Sequence, residues 1–524
     1  MSENTPPDEA AAARTTSRRR LLALGGAGLA AAAVGIPVAR KLRQELPPRV
    51  TIAAADPLRI DGVTVIDPSD GSRRPDATIL VRAGRIVAVL DRATAVLDRT
   101  AEEAAGGGPV TRQVAGAGRF VVPGFRDMHT HALQADNPRR PLAAMLAEGV
   151  TGIRQMAGSD DLLALRAESR LPLDEYAPQL LTLPGAVLTP FRAGSAGEAY
   201  EEIDRQRDQG ADFIKIVLFD RDVFLAAVAH ASDRGLTTAG HLPPSVSPAE
   251  ASAAGFTSIE HLGASNATWI ACSSRALTDS SGLPVPSWVL DAPFAERVFF
   301  RVMDKRLINP AAYDSLDAVA MMRAALESFD ESRARRLAAT LAANRTWQVP
   351  TLVRLRTQYL ADAPEYAEDP LLDQLSDDDL ADYHDVLDRF KELPEETRAT
   401  YRMAYQLSVR LVGIFHEEGV PMMTGTDGGG RVPGQTMREE FTELAHAGLP
   451  PLSILRAATT APATFLGDTD RAGRVAPGMD ADFVLLDGDP LIDAGNLSAV
   501  SAVVRAGHYL TRAQIQAYGA RSGA

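Results

Sequence analysis

The sequence is short of thiols and amines. Of its 524 residues one is cysteine, Cys272, so no disulfide forms within the chain. Lysine occurs four times, at Lys41, Lys215, Lys305 and Lys391, and arginine supplies nearly all the positive charge. Positive charge is itself in deficit: 54 Lys+Arg stand against 68 Asp+Glu, a formal net charge of −14. The first fifty residues hold eight basic side chains and four acidic ones, so the rest of the chain is more acidic still. Such a body presents no basic face to nucleic acid. With 45% hydrophobic and 23% charged residues, a disordered, collagen-like or multispanning membrane chain is excluded. The length allows two or three folded units with a large core.

The N-terminus reads as an address. Ser17-Arg-Arg-Arg-Leu-Leu leads into an uncharged, Gly/Ala-rich run from Leu21 to Ala39. A basic segment before an apolar one is the layout of an export signal. The pair Arg18 and Arg19 before a weakly hydrophobic run resembles a twin-arginine signal, which makes the twin-arginine export machinery an expected partner. The expected location is then the cell envelope or outside. Membrane anchoring through residues 21–39 is the alternative, because 19 residues can span a bilayer.

The body divides by rhythm. Leu58–Ile66, Thr78–Arg82 and Arg85–Leu90 are short and rich in β-branched residues, and Ala481–Leu486 and Ala499–Leu510 repeat that style. These segments predict one small β-sandwich domain built from both chain ends, residues 51–118 and 471–524, behind a signal and linker at 1–50. Between them, apolar runs alternate with helical segments. The expected parallel strands are Phe120–Phe125, Val150–Met156, Gln179–Leu183, Ala211–Leu218, Leu236–Ala239, Ser258–His261, Thr346–Leu352 and Val420–Thr424. Ser195 and Glu198 have the spacing of a capping box at the start of one intervening helix. Eight strand–helix units predict an α/β fold, a (β/α)8 TIM-like barrel over 119–470, although doubly wound sheets share the alternation. Two insertions, 264–328 and 353–401, follow the sixth and seventh strands, on the face where barrels keep their chemistry.

The candidate chemistry lies at strand ends. His129 and His131 sit two apart after an apolar strand, and i, i+2 side chains of extended chain point the same way. Two imidazoles aimed at one point suit a metal, though two surface histidines would read the same. His241, His261 and Asp427 each close a later strand. Singly they are turn residues. Jointly they offer N and O ligands from separate strands to one mouth. Lys215 stands inside the apolar strand Asp212-Phe-Ile-Lys-Ile-Val-Leu. A buried ammonium is costly, and a neutral amine there could take up carbon dioxide as a metal-bridging carbamate. Pairing with a buried carboxylate is the other reading. Arg154, Arg354 and Arg431 are candidates to bind a substrate carboxylate bidentately. Arg126 and Asp127 are expected to orient the mouth. His230, His384, His416, His446 and His508 are read as non-catalytic.

These motifs resemble the amidohydrolase superfamily, nearest its imidazolonepropionase-like and prolidase-like branch. The resemblance is carried by Pro123-Gly-Phe-Arg-Asp-Met-His-Thr-His, Gly149-Val-Thr-Gly-Ile-Arg, Gly210-Ala-Asp-Phe-Ile-Lys-Ile, Ser258-Ile-Glu-His, Thr424-Gly-Thr-Asp, Ile454–Leu466 and the tail from Arg474 to Leu486. It spans about residues 57–510, with the two insertions poorly covered. It implies a site for two divalent metal ions, usually Zn2+. His129, His131, Asp427 and a carbamate on Lys215 would hold one ion; His241, His261 and the same carbamate would hold the other. The implied activity is hydrolysis of an amide C–N bond by a hydroxide held between the ions, with Asp427 as proton shuttle. Dipeptides or N-acyl amino acids are the favoured small-molecule substrates. Lactone or organophosphate esters, and a mononuclear deaminase or cyclic-amide hydrolase of the same fold, are the alternatives, and a non-catalytic binding barrel is the remaining one. Expected partners are the substrate, the export machinery and further copies of this chain. The branch often carries a second histidine near His241, where this chain has Leu242-Pro-Pro.

Overall fold

A computed structural model describes residues 46–91, 110–218, 220–278, 305–369, 372, 375–430 and 436–521. Arg18, Arg19 and the run 21–39 lie outside the described residues, as does Arg431. Among the described residues, no helix is long and apolar enough to cross a membrane.

Both chain ends build one sheet. From the N-terminal side come β1 (Leu58–Ile66), β2 (Arg73–Arg82), β3 (Arg85–Asp91), β4 (Arg112–Ala115) and β5 (Phe120–Pro123). The sheet runs β15-β14-β13-β5-β1-β2-β3, with β4 beside β1. Here β13 is Phe483–Leu486, β14 Val500–Arg505 and β15 His508–Thr511. Alternation along β2, and along β1 with a register shift between Asp61 and Val63, turns Ile60, Val63, Ile79 and Val81 onto a shared apolar layer with Phe483, Leu485 and Val504. The single expected strand Ala499–Leu510 is a hairpin. Ala506 (φ 50°) and Gly507 (φ 85°) form its two-residue loop, and positive φ at both positions matches the twist of the flanking strands.

The remaining strands are parallel and, apart from β8, largely buried on both faces. β6 (Phe125–Thr130), β7 (Val150–Gln155) and β8 (Gln179–Thr182) form one sheet. β9 (Phe213–Ile216), β10 (Thr237–Gly240), β11 (Ser258–Glu260) and β12 (Trp347–Val349) form another. Backbone contacts join the two at both edges. Leu188 bridges Ile216 beyond β8, and Met422 bridges Gln348 beside β12. Met128 N–H then donates to Thr424 O at 2.9 Å, returning to β6. The fold is α/β, with helices between successive parallel strands.

The sequence reading misplaced the first parallel strand. Phe120–Pro123 pairs with β1 and β13 in the small sheet, and the parallel strand is Phe125–Thr130, which carries His129 itself. One apolar run crosses from one sheet to the other, and hydrophobicity gives no mark of the crossing. Among the described residues, Val420–Thr424 makes its single β-bridge at Met422. Ser195 caps the helix Ala196–Asp208 by accepting from Glu198 N–H at 3.3 Å, as its spacing predicted.

The described parts of the two insertions are helical and tied to each other. Tyr401 Oη donates to Ala311 O at 2.9 Å and lies 3.0 Å from Asp314 Oδ2. Arg389 Nε donates to Ala312 O at 2.8 Å. The acidic stretch after Ser376 is a helix, Asp377–Lys391, that buries Tyr383, Val386, Leu387 and Phe390 and turns its aspartates outward.

Candidate metal centre

The site is assembled where the parallel strands end. His129 is the fifth residue of β6 and His131 follows the strand by one residue. Both present Nε2 to the Asp427 carboxylate, at 3.9 and 3.3 Å from Oδ1. His261, next after β11, presents Nε2 to Asp427 Oδ2 at 3.8 Å. One ligand atom from each of His129, His261 and Asp427 lies within 4.8 Å of the others. His241 packs edge-on against His261, with ring centroids 5.2 Å apart.

The backbone is strained at this mouth and not by accident of one loop. His261 (φ 52°), Thr351 (φ 46°) and Asp427 (φ 49°) all lie in the left-handed region, unusual for such residues and least tolerable for β-branched Thr351. Gly425 lets the Asp427 segment pass close to β6. A Cβ there would meet Val349 Cγ1 at 2.4 Å and His129 Cβ at 2.8 Å.

Three of the four imidazoles have their tautomer fixed from behind. His129 Nδ1 donates to Glu260 Oε2 at 2.6 Å. His131 Nδ1 lies 3.0 Å from Gln134 Oε1. Thr351 Oγ1 gives its own proton to Pro350 O, so it accepts from His261 Nδ1 at 2.6 Å. In all three rings the Nε2 lone pair is therefore the one that faces Asp427. Burial holds all four histidines neutral. It lowers His129, His241 and His261 well below the ordinary histidine value, with the Lys215 charge adding to the effect. It lowers His131 less, because Asp427 opposes it.

Lys215 completes the cluster from β9. Its charge acts on all four histidines and on Glu260. Burial pushes its pKa down to about 8, against the pull of Glu260 and Asp427. Among the described residues, Lys215 Nζ and both ring nitrogens of His241 are buried without a hydrogen-bond partner. Three imidazole lone pairs and a carboxylate face one another with no proton between them, beside two further orphaned nitrogen groups. That donor set fits divalent cations bound through N and O.

Two of the three candidate substrate arginines have other work. Arg154 is buried, with NH1 3.4 Å from Glu260 Oε1, and its guanidinium lies over the rings of Phe213 and Phe465 at 4.6 and 5.1 Å. It lies on the Glu260 side of His129, paired with a buried carboxylate of the chain itself. Arg354 gives NH1 to Ile308 O at 2.8 Å and NH2 to Leu307 O at 2.6 Å, with Nε 3.5 Å from Asp427 Oδ2. Both of its terminal nitrogens are thus engaged by main-chain carbonyls. It ties the first insertion to Asp427. Of the pair expected to orient the mouth, Asp127 touches the segments that carry His129 and Asp427, and Arg126 does not. Arg126 holds Asp468 bidentately at 2.8 and 2.7 Å. Asp127 accepts from His129 N–H at 3.0 Å and from Thr426 Oγ1 at 2.6 Å, joining the two ligand-bearing segments, and its burial raises its pKa to about 7.

Sequence reasoning missed Glu260 and Thr351. Glu260 had a signal: an acid inside a three-residue buried strand, two positions from Ser258, needs a partner of its own. Ser258 Oγ indeed donates to Glu260 Oε1 at 2.7 Å. Thr351 had none, because its role depends on a backbone conformation that no local residue pattern announces.

Comparison with known proteins agrees with this picture. Residues 409–511 match the sequence profile of the amidohydrolase family. No curated protein sequence matches the chain. Several solved structures share the fold at low identity. One is a Xaa-Pro dipeptidase with methionine bound in its active site, 17% identical with a TM-score of 0.55, covering 87% of this chain and 100% of that one. Another is a putative prolidase from Bifidobacterium longum, 20% identical with a TM-score of 0.54, covering 90% and 100%. A bottromycin amidohydrolase is 22% identical with a TM-score of 0.58, covering 89% and 91%. The profile match is confined to that C-terminal segment, and the solved structures show a shared fold.

Proposed function

We propose that this chain is an exported metal-dependent amidohydrolase that cleaves amide C–N bonds in small substrates, with dipeptides or N-acyl amino acids as the favoured class. The observation that carries the reading is the convergence of Nε2 of His129, His131 and His261 on the Asp427 carboxylate, at 3.9, 3.3 and 3.8 Å. In this reading the eight parallel segments from β6 to Val420–Thr424 make a (β/α)8 barrel, and the ligands stand at the C-terminal ends of its strands. His129, His131 and Asp427 would hold one divalent ion, and His241 and His261 a second, with a carbamate on Lys215 serving both. The names of the dipeptidase and prolidase among the structural relatives favour peptide-like substrates. The paired arginines before the Leu21–Ala39 run support export.

When bound, such ions polarise a carbonyl and make water acidic enough to attack near neutral pH. The residues themselves do the rest. Asp427 takes the proton released as the attacking water's O–H bond breaks. It then delivers that proton to the leaving nitrogen as the C–N bond breaks, giving an acid and an amine. Arg354 Nε, 3.5 Å from Asp427 Oδ2, steadies the carboxylate through both transfers. Neutral Lys215 would join carbon dioxide through Nζ, losing one proton to form the carbamate. A single-ion enzyme is the second reading, favoured by the compactness of the His129, His261 and Asp427 cluster, whose ligand atoms lie within 4.8 Å of one another. The test is turnover of a dipeptide panel by zinc-loaded full chain and its Asp427→Asn variant. The variant should keep most of its zinc while kcat falls roughly 10²–10⁴-fold. Unchanged turnover in the variant contradicts the assignment.

A further inference from the structure

Glu260 is buried completely, and nothing in the reaction above uses it. A carboxylate in such a place is costly unless it is paired and hydrogen-bonded. Both of its oxygens are occupied. Oε1 accepts from Ser258 Oγ at 2.7 Å and lies 3.4 Å from Arg154 NH1. Oε2 accepts from His129 Nδ1 at 2.6 Å. Arg154 is equally buried, and although its NH2 has no hydrogen-bond partner, aromatic rings hold its guanidinium. The rings of Phe213, from β9, and Phe465, from the helix Thr460–Leu466, lie against its guanidinium at 4.6 and 5.1 Å. Aromatic faces attract a desolvated cation and hold a planar guanidinium in one orientation. The chain thus spends a buried ion pair from two strands, and two aromatic rings, on one nitrogen of one histidine.

We propose that Glu260 and Arg154 are a positioning pair that keeps His129 protonated on Nδ1 and aimed with Nε2 at Asp427, and so sets the affinity of the centre for a divalent cation. This rests on the metal reading above. The pair reaches His129 alone: His131 leans on Gln134 and His261 on Thr351. His129 is also the ring that stacks nearest to His261, at 4.4 Å between centroids, so its aim decides whether two strands share one ion. Removing the acceptor frees the ring to adopt the other tautomer or to turn. Removing only the charge does not, because an amide oxygen also accepts from Nδ1–H.

The experiment is zinc affinity of the full chain, by competition with a chromophoric chelator, for wild type, Glu260→Gln and Glu260→Leu. Thermal unfolding of each metal-free protein runs alongside. Losing such an outer partner typically costs 10–100-fold in metal affinity. The expected result is that loss in Glu260→Leu, with Glu260→Gln within about fivefold of wild type. Cobalt substitution gives a second signature that survives poor folding of the leucine variant. The visible ligand-field bands of Co2+ in Glu260→Gln should match wild type, and a shifted spectrum there overturns the positioning role. Wild-type zinc affinity in both variants also overturns it. Failure of the wild-type chain to bind zinc at all instead overturns the metal reading on which it rests.

Discussion

Thr351 Oγ1 accepts a 2.6 Å hydrogen bond from His261 Nδ1 while Thr351 itself holds φ at 46°. A β-branched residue rarely occupies that conformation, so the surrounding structure maintains it at a cost of about 1–3 kcal/mol. The return is a hydroxyl that can only accept, because its proton goes to Pro350 O. Thr351→Val keeps the branching and the backbone strain and removes the acceptor. It should lower zinc affinity about 10–100-fold, and Thr351→Ser should restore most of it. Isothermal titration of both variants checks this. Equal affinities for valine and wild type would show that the hydroxyl does not set the tautomer.

Lys215 separates the two-ion and one-ion readings. Its amine is buried, orphaned and depressed to about pKa 8. Lys215→Met has similar length and no polar atom. In the two-ion enzyme the variant should bind about one zinc fewer per chain and lose at least ~100-fold in kcat. Added bicarbonate should raise the activity of metal-depleted, reconstituted wild type and leave the variant unchanged. The metal-free variant should also be about 1–3 kcal/mol more stable to urea, since an unpaired polar group is no longer buried. Full zinc stoichiometry and turnover in Lys215→Met would select the one-ion reading.

Glu440 gives a pH signature outside the ligand set. Its Oε2 accepts from Val353 N–H at 2.9 Å, capping the helix Leu352–Tyr359 that carries Arg354. Burial raises its pKa to about 8. Between about pH 4.5 and 8 the folded chain therefore keeps a proton that the unfolded chain has lost, so this group's contribution to stability falls as pH rises through that window. Glu440→Gln removes the dependence. Urea denaturation of both proteins from pH 5 to 8.5 should show the variant gaining on wild type with rising pH, by on the order of 1–3 kcal/mol across the range. A difference that stays flat with pH would mean Glu440 is ionised in the fold.

The ligand residues were legible because chemistry marked them. Four histidines and an aspartate each followed a short apolar run, and Lys215 was a lone amine in such a run. Strand ends converge in an α/β fold whatever their separation in sequence, so position along the chain was enough. Residues that act on other residues were not legible. Arg154 looked like a substrate clamp because an arginine at a strand end advertises charge. Its partner, Glu260, comes from a strand 106 residues away. The carbonyl partners of Arg354, Leu307 and Ile308, lie in an insertion with no readable pattern. The first parallel strand was displaced by five residues for a simpler reason. The apolar run from Phe120 to Phe125 passes from β5 into β6 with only Gly124 between the two strands and no polar residue to mark the crossing.

Metal content tests the central claim most directly. Full-length protein, produced with bicarbonate and zinc in the medium, would be freed of loosely bound ions and measured by elemental analysis. The account predicts about two zinc ions per chain, falling by about one in Lys215→Met and accompanied by hydrolysis of a dipeptide. A folded chain that carries no divalent metal and takes up none when zinc is added would contradict it.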